Sequence, residues 1–87
     1  MSLQVDIVTP TQTAYSGQAT EVQAPGFVGE FGVLPNHALF LSVVRAGVVT
    51  IYRDGETLRF VVGSGFVEAG PDWITLLTEV CEPADEV

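Results

Sequence analysis

The run Gly47-Val48-Val49-Thr50-Ile51-Tyr52-Arg53-Asp54-Gly55-Glu56-Thr57-Leu58-Arg59-Phe60-Val61-Val62 decides the fold class. Two stretches rich in β-branched and aromatic residues flank an Asp-Gly pair. That arrangement is the strongest short-range hairpin signal, because both central residues tolerate positive φ. Working outward toward the N-terminus, Ala19–Ala24 reads as a strand closed by Pro25-Gly26. Before it, Leu3, Val5 and Ile7 alternate with Gln4, Asp6 and Val8, the period of two that turns one face to a core, until Thr9-Pro10 ends the ladder. Toward the C-terminus, Gly63-Ser64-Gly65 separates the hairpin from Phe66-Val67-Glu68-Ala69, and Gly70-Pro71-Asp72 turns the chain into Trp73-Ile74-Thr75-Leu76-Leu77-Thr78. Short strands at this spacing predict an all-β sandwich or small barrel. The inventory agrees: there are 14 valines and eight threonines but no lysine, so the usual material of amphipathic helices is scarce.

Several segments, notably Ile51-Tyr52 and Leu76-Leu77, are apolar at consecutive positions and so on both faces of their strands. One face fills the core; the other is left for a partner. After Glu79 the apolar pattern ends, and residues 82–87 read as an acidic tail. The 87 residues are expected to form a single domain, with neither internal repeats nor low-complexity segments.

Charge narrows the function classes. The chain has three basic residues, Arg45, Arg53 and Arg59, against eleven acidic ones, for a formal net charge of -8. Nucleic-acid affinity depends on basic side chains that displace counterions, so a polyanion is an unsuitable partner, and anionic lipid is disfavoured for the same reason. No apolar run approaches the roughly 20 residues of a membrane-spanning helix. Met1–Asp6 lacks the basic and apolar regions of a signal peptide, so export is not indicated. Cys81 has no second cysteine to pair with and is expected to be a free thiol.

Catalytic chemistry finds little to work with. His37 has only Cys81 and distant carboxylates as companion ligands, short of the three or four a zinc site needs. Ser16, Ser42 and Ser64 sit in no nucleophile elbow. Gly63-x-Gly65 is not followed by a third glycine at dinucleotide spacing, and Gly29-Glu30-Phe31-Gly32 has no lysine, so neither is a phosphate cradle. The latter reads as a tight loop presenting Glu30 and Phe31 near Pro35 and His37, either a docking tip or an ordinary exposed turn. No cofactor is expected.

At this loop the chain resembles a known family. Val5-Asp6-Ile7-Val8-Thr9-Pro10, Tyr15-Ser16-Gly17, Ala24-Pro25-Gly26, Gly29-Glu30-Phe31-Gly32-Val33-Leu34-Pro35-Asn36-His37-Ala38 and Gly63-Ser64-Gly65-Phe66-Val67-Glu68 follow in order across essentially all 87 residues. Together they resemble the amino-terminal domain of the epsilon subunit of F-type ATP synthases, which is called delta in mitochondria.

The resemblance implies a flattened sandwich of two five-stranded sheets. It also implies a non-catalytic place in the central rotor stalk of a proton-translocating complex, binding the gamma subunit and the membrane ring and coupling ion-driven rotation to ATP synthesis. Glu30 and Phe31 would face the ring loops, with Glu30 accepting from a basic residue, while His37, Ala38 and Leu39 would lie toward gamma. The location implied is the cytoplasmic face of a bacterial plasma membrane. Phe31, Asn36 and Leu39-Phe40 depart from the leucine, glycine and proline-leucine common in the family, which bears on the loop contacts. Family members usually continue into a carboxy-terminal helical hairpin, which is expected to be absent because the sequence ends at Val87, about where the hairpin would begin.

An anchor of this kind predicts an exposed apolar patch on one sheet, and in isolation such a patch favours a homodimer. The competing reading, a generic β-sandwich interaction or ligand-binding module, predicts a deep pocket with converging polar groups instead.

Overall fold

A computed structural model of the chain describes residues 2–30 and 39–84. Within them lie ten strands and no helix: β1 (Leu3–Val8), β2 (Thr13–Ala19), β3 (Glu21–Ala24), β4 (Phe27–Glu30), β5 (Phe40–Val44), β6 (Gly47–Arg53), β7 (Glu56–Val62), β8 (Gly65–Ala69), β9 (Trp73–Thr78) and β10 (Cys81–Pro83). They form two sheets packed as a sandwich. Sheet I has the order β2-β1-β9-β8-β5 and sheet II the order β10-β7-β6-β3-β4. β1 and β9 are parallel, from Gln4↔Trp73 to Val8↔Leu77.

The alternation in β1 does what period two requires. Leu3, Val5 and Ile7 are buried, while Gln4, Asp6 and Val8 point outward and are partly exposed. Sheet I adds Val44, Val67, Ala69, Ile74 and Leu76 to the core, and sheet II adds Val22, Ala24, Val49, Ile51 and Val62. This interior is aliphatic throughout. The aromatic rings of Tyr15 and Phe60 stand at its margin, with centroids 5.5 Å apart. Thr78 is the buried polar residue among those described, and its hydroxyl donates to the Val80 carbonyl at 2.9 Å.

The Asp-Gly hairpin forms as the sequence predicts. β6 and β7 pair from Gly47↔Val62 to Arg53↔Glu56, leaving Asp54-Gly55 as the two-residue loop, with Gly55 at φ +71°. Gly65 has a different purpose: a Cβ there would sit 1.9 Å from the Leu77 carbonyl oxygen, so only glycine lets β8 run this close to β9.

Several segments differ from the sequence reading. The strand expected over Ala19–Ala24 is two strands: β2 ends at Ala19, β3 begins at Glu21, and the chain changes sheets at Thr20. Thr20 fixes that step, since its amide and its hydroxyl both donate to the Tyr52 carbonyl, at 2.7 and 3.0 Å. β4, β5 and β2 up to Gln18 were not anticipated. The stretch assigned to an acidic tail over 82–87 starts inside β10, which pairs with β7 from Cys81↔Val62 to Pro83↔Phe60, and the Ala84 amide donates to the Arg59 carbonyl at 3.0 Å. The correction has a physical reason: β10 is an edge strand, where proline is tolerated and Glu82 can point to solvent.

Candidate interaction surface

The two apolar doublets resolve as one residue in and one out. Leu76 is buried and Leu77 outward and exposed; Ile51 is buried and Tyr52 outward and half-buried. Leu77 belongs to a row. Reading across sheet I, Val8 pairs with Leu77, Leu77 with Phe66, and Phe66 with Val43, so four apolar side chains stand side by side on the outer face. Phe66 is 52% and Val43 64% exposed. Neighbouring strands lie about 4.8 Å apart, so these side chains form one continuous stripe. A groove of about 580 Å³ follows it, lined by the stripe together with Thr9, Pro10 and the Ser64–Gly65 and Thr78–Glu79 segments.

The next outward row of sheet I is different. Asp6 pairs with Thr75, Thr75 with Glu68, and Glu68 with Leu41, which places two carboxylates beside the stripe. Farther along β1 and β2 the face becomes an amide and hydroxyl network. Ser2 donates to Gln18, Gln18 donates to Gln4 at 2.6 Å, and Gln4 donates to Ser16 at 3.3 Å.

Sheet II turns a more polar face outward. Its apolar pair, Val48 and Val61, adjoins Glu82. The following rows hold Gln23, Thr50 and Arg59, then Glu21, Tyr52 and Thr57. On the inward side of β6, Arg53 donates to the Tyr15 hydroxyl at 2.9 Å and lies 3.5 Å from the Glu56 carboxylate, tying the hairpin end to β2.

Of the residues expected to meet the ring and gamma, Glu30 and Leu39 are described, each beside a sheet edge. Glu30 is the last residue of β4, in register with Glu21, at the edge of sheet II. Leu39 precedes β5, at the edge of sheet I, and is 80% exposed. Phe31, His37 and Ala38 lie outside the described residues. The turn after β3 ties the two edges together, with the Arg45 amide donating to the Pro25 carbonyl at 3.4 Å. The stripe itself was missed residue by residue in the sequence. Its signal was the Leu76-Leu77 doublet; the partners of Leu77 follow from strand register, which the sequence does not print.

Among the described residues, the serine and cysteine candidates have no catalytic partner at hand. Ser16 and Ser42 bond to an amide and a carbonyl rather than to a base. Burial, and secondly the adjacent Glu82 carboxylate, push the Cys81 thiol above its ordinary pKa, opposite to what a nucleophile needs. Among the described residues no group of three or more His, Cys, Asp or Glu side chains could hold a metal ion.

Comparison with known proteins fits this geometry. The family model for the ATP synthase delta/epsilon chain β-sandwich domain matches residues 2–84. The ATP synthase epsilon chain of Nitratidesulfovibrio vulgaris is 42% identical over 86 residues, 99% of this chain and 64% of that protein. That of Moorella thermoacetica is 40% identical over 87 residues, 99% of this chain and 65% of that protein. This chain thus spans a little under two thirds of the length of these curated relatives. A chain in the Euglena gracilis mitochondrial ATP synthase structure shares the fold, with a TM-score of 0.78 at 16% identity, over 99% of this chain and 56% of that one. A family match over nearly every residue, with relatives of 40% identity and the expected two-sheet sandwich, makes this chain a member of the ATP synthase delta/epsilon chain β-sandwich domain family.

Proposed function

We propose that this chain is the β-sandwich domain of a non-catalytic central-stalk subunit of a bacterial-type ATP synthase. It binds gamma and the membrane ring at the cytoplasmic face of the membrane and couples ion-driven rotation to ATP synthesis. The observation that carries the reading is the stripe Val8, Leu77, Phe66 and Val43 on one outer face, in a chain whose relatives are named epsilon chains. An apolar stripe confined to one face suits a persistent interface, whereas singly scattered apolar residues need no partner. The sandwich is taken as one domain of two five-stranded sheets over residues 1–87. Glu30 and Phe31 are assigned to the ring side, and His37, Ala38 and Leu39 to the gamma side. In isolation the uncovered stripe favours a weak homodimer, which sedimentation of dilute protein tests.

Pull-down of the chain with the gamma subunit of its own organism tests the reading. Retention of gamma is the expected result, and its absence would sink the proposal. Glu30→Lys is expected to weaken coupling of ion flow to ATP synthesis while leaving the domain folded; unchanged coupling removes Glu30 from the ring contact. The alternative, a ligand-binding module, requires polar groups converging in a deep pocket. The groove on sheet I has mainly Val, Phe, Leu and Pro side chains in its lining, which favours a protein partner.

A further inference from the structure

The stripe on sheet I is flanked by carboxylates on both sides. Along the strands in one direction lie Asp6 and Glu68, one outward row away; in the other, Glu79 lines the end of the groove. Outward rows are two residues apart, about 6.6 Å along a strand. None of the three arginines lines the groove: Arg53 and Arg59 belong to sheet II, and Arg45 follows β5. Arg45 follows two residues beyond Val43, toward the Glu79 end of the stripe, so the edge formed by Asp6 and Glu68 is the one whose row holds no basic residue.

From this arrangement we infer that the groove recognises an extended partner segment carrying an aliphatic or aromatic side chain with Lys or Arg two residues away. The inference rests on the rotor reading and specifies the chemistry of the partner at that surface. The apolar side chain seats between Phe66 and Leu77. In an extended segment running along the strands, a residue two positions on is displaced by the same 6.6 Å or so that separates the rows, so it arrives over Glu68 and Asp6. A basic residue in the opposite direction meets Glu79. A second copy of this chain can meet the apolar seat but not the carboxylates, since it contains no lysine and brings its own charge of -8, which keeps the homodimer weak; the occupant so described is a different chain. Charge at such a rim contributes more to choice of partner and association rate than to affinity, while the apolar seat holds the complex.

Equilibrium binding of the 87-residue chain to gamma from the same organism, at low and high salt, tests the inference with Glu68→Lys, Glu68→Gln and a Val61→Ser control on sheet II. Glu68 is exposed and makes no core contact, so these variants keep the wild-type melting temperature. Glu68→Lys is expected to weaken binding about tenfold at low salt, Glu68→Gln less, and Val61→Ser not at all. The wild-type complex should weaken as salt rises, and Glu68→Lys should flatten that dependence. Gamma binding left unchanged by Glu68→Lys overturns the inference and leaves the rotor reading standing. Failure of the wild-type chain to bind gamma removes both.

Discussion

On the outer face of sheet I, Val8, Leu77, Phe66 and Val43 stand abreast across four strands, whereas on sheet II Val48 and Val61 are a pair beside Glu82. The inner faces of the two sheets show no such difference: each contributes aliphatic side chains at alternate positions to one core. The requirement to fold therefore acts on both sheets alike, and the outward positions are where they diverge. Lone exposed valines are ordinary on a protein surface. A stripe continued through three successive cross-strand pairs is not, and it is the feature that separates a binding face from a solvated one.

If the core is shared and only the surfaces differ, matched substitutions in the two sheets must behave alike inside and unlike outside. The largest effects should come from the interior. Ile74→Ala in sheet I and Ile51→Ala in sheet II, both fully buried, should each destabilise the domain by about 2 to 5 kcal/mol in chemical unfolding. A large cost in one sheet and a negligible one in the other would break the symmetry.

Next comes the support beneath the stripe. Gly65→Ala drives a Cβ against the Leu77 carbonyl and should cost about 1 to 3 kcal/mol, shifting β8 relative to β9 and so disturbing Phe66 against Leu77. An alanine variant of wild-type stability would contradict the close approach of these strands.

Trp73→Ala should fall below the cost of a core tryptophan, at about 1 to 3 kcal/mol, because Trp73 is only half-buried on the outward side of β9. Its backbone carbonyl, which accepts from the Gly70 amide at 2.9 Å, survives the substitution. A loss at or above the core value would show that the ring is more enclosed than its exposure indicates.

Much of this division was legible in the residues, for reasons that also explain what was not. β1, β6, β7, β8 and β9 were readable because each turns alternate apolar residues inward between strong turn signals, with Asp54-Gly55 the clearest. β2 was not, because Thr13–Ala19 buries only its final alanine and carries small or polar residues elsewhere. β10 was masked by Pro83 and Glu82, which read as tail but are suited to a short edge. The stripe lay beyond sequence reading because register brings together residues 8, 43, 66 and 77, far apart in the chain. Glu30, Phe31, His37, Ala38 and Leu39 came from family resemblance rather than from their own chemistry, and of these the structure describes the exposed Leu39 and the place of Glu30 at the end of β4.

The smallest effect concerns Cys81, on the sheet II edge that closes against Phe60 and Val62. Its raised pKa means less thiolate at a given pH, so alkylation at pH 8 should be slower in the native protein than in urea. Because folding favours the neutral thiol, the associated stability is present below the unfolded thiol pKa and is lost as pH rises through the folded value. Equal native and unfolded rates would place the thiol in open solvent.

The most direct test of the central claim compares Phe66→Ser with Val61→Ser for affinity toward the gamma subunit. Both positions are about half exposed, so each change should cost about 1 to 2 kcal/mol of stability and leave the domain folded. The account predicts that Phe66→Ser weakens gamma binding at least about tenfold, as loss of an aromatic interface anchor does, while Val61→Ser binds as wild type. Equal effects of the two substitutions, or a loss confined to Val61→Ser, would contradict it.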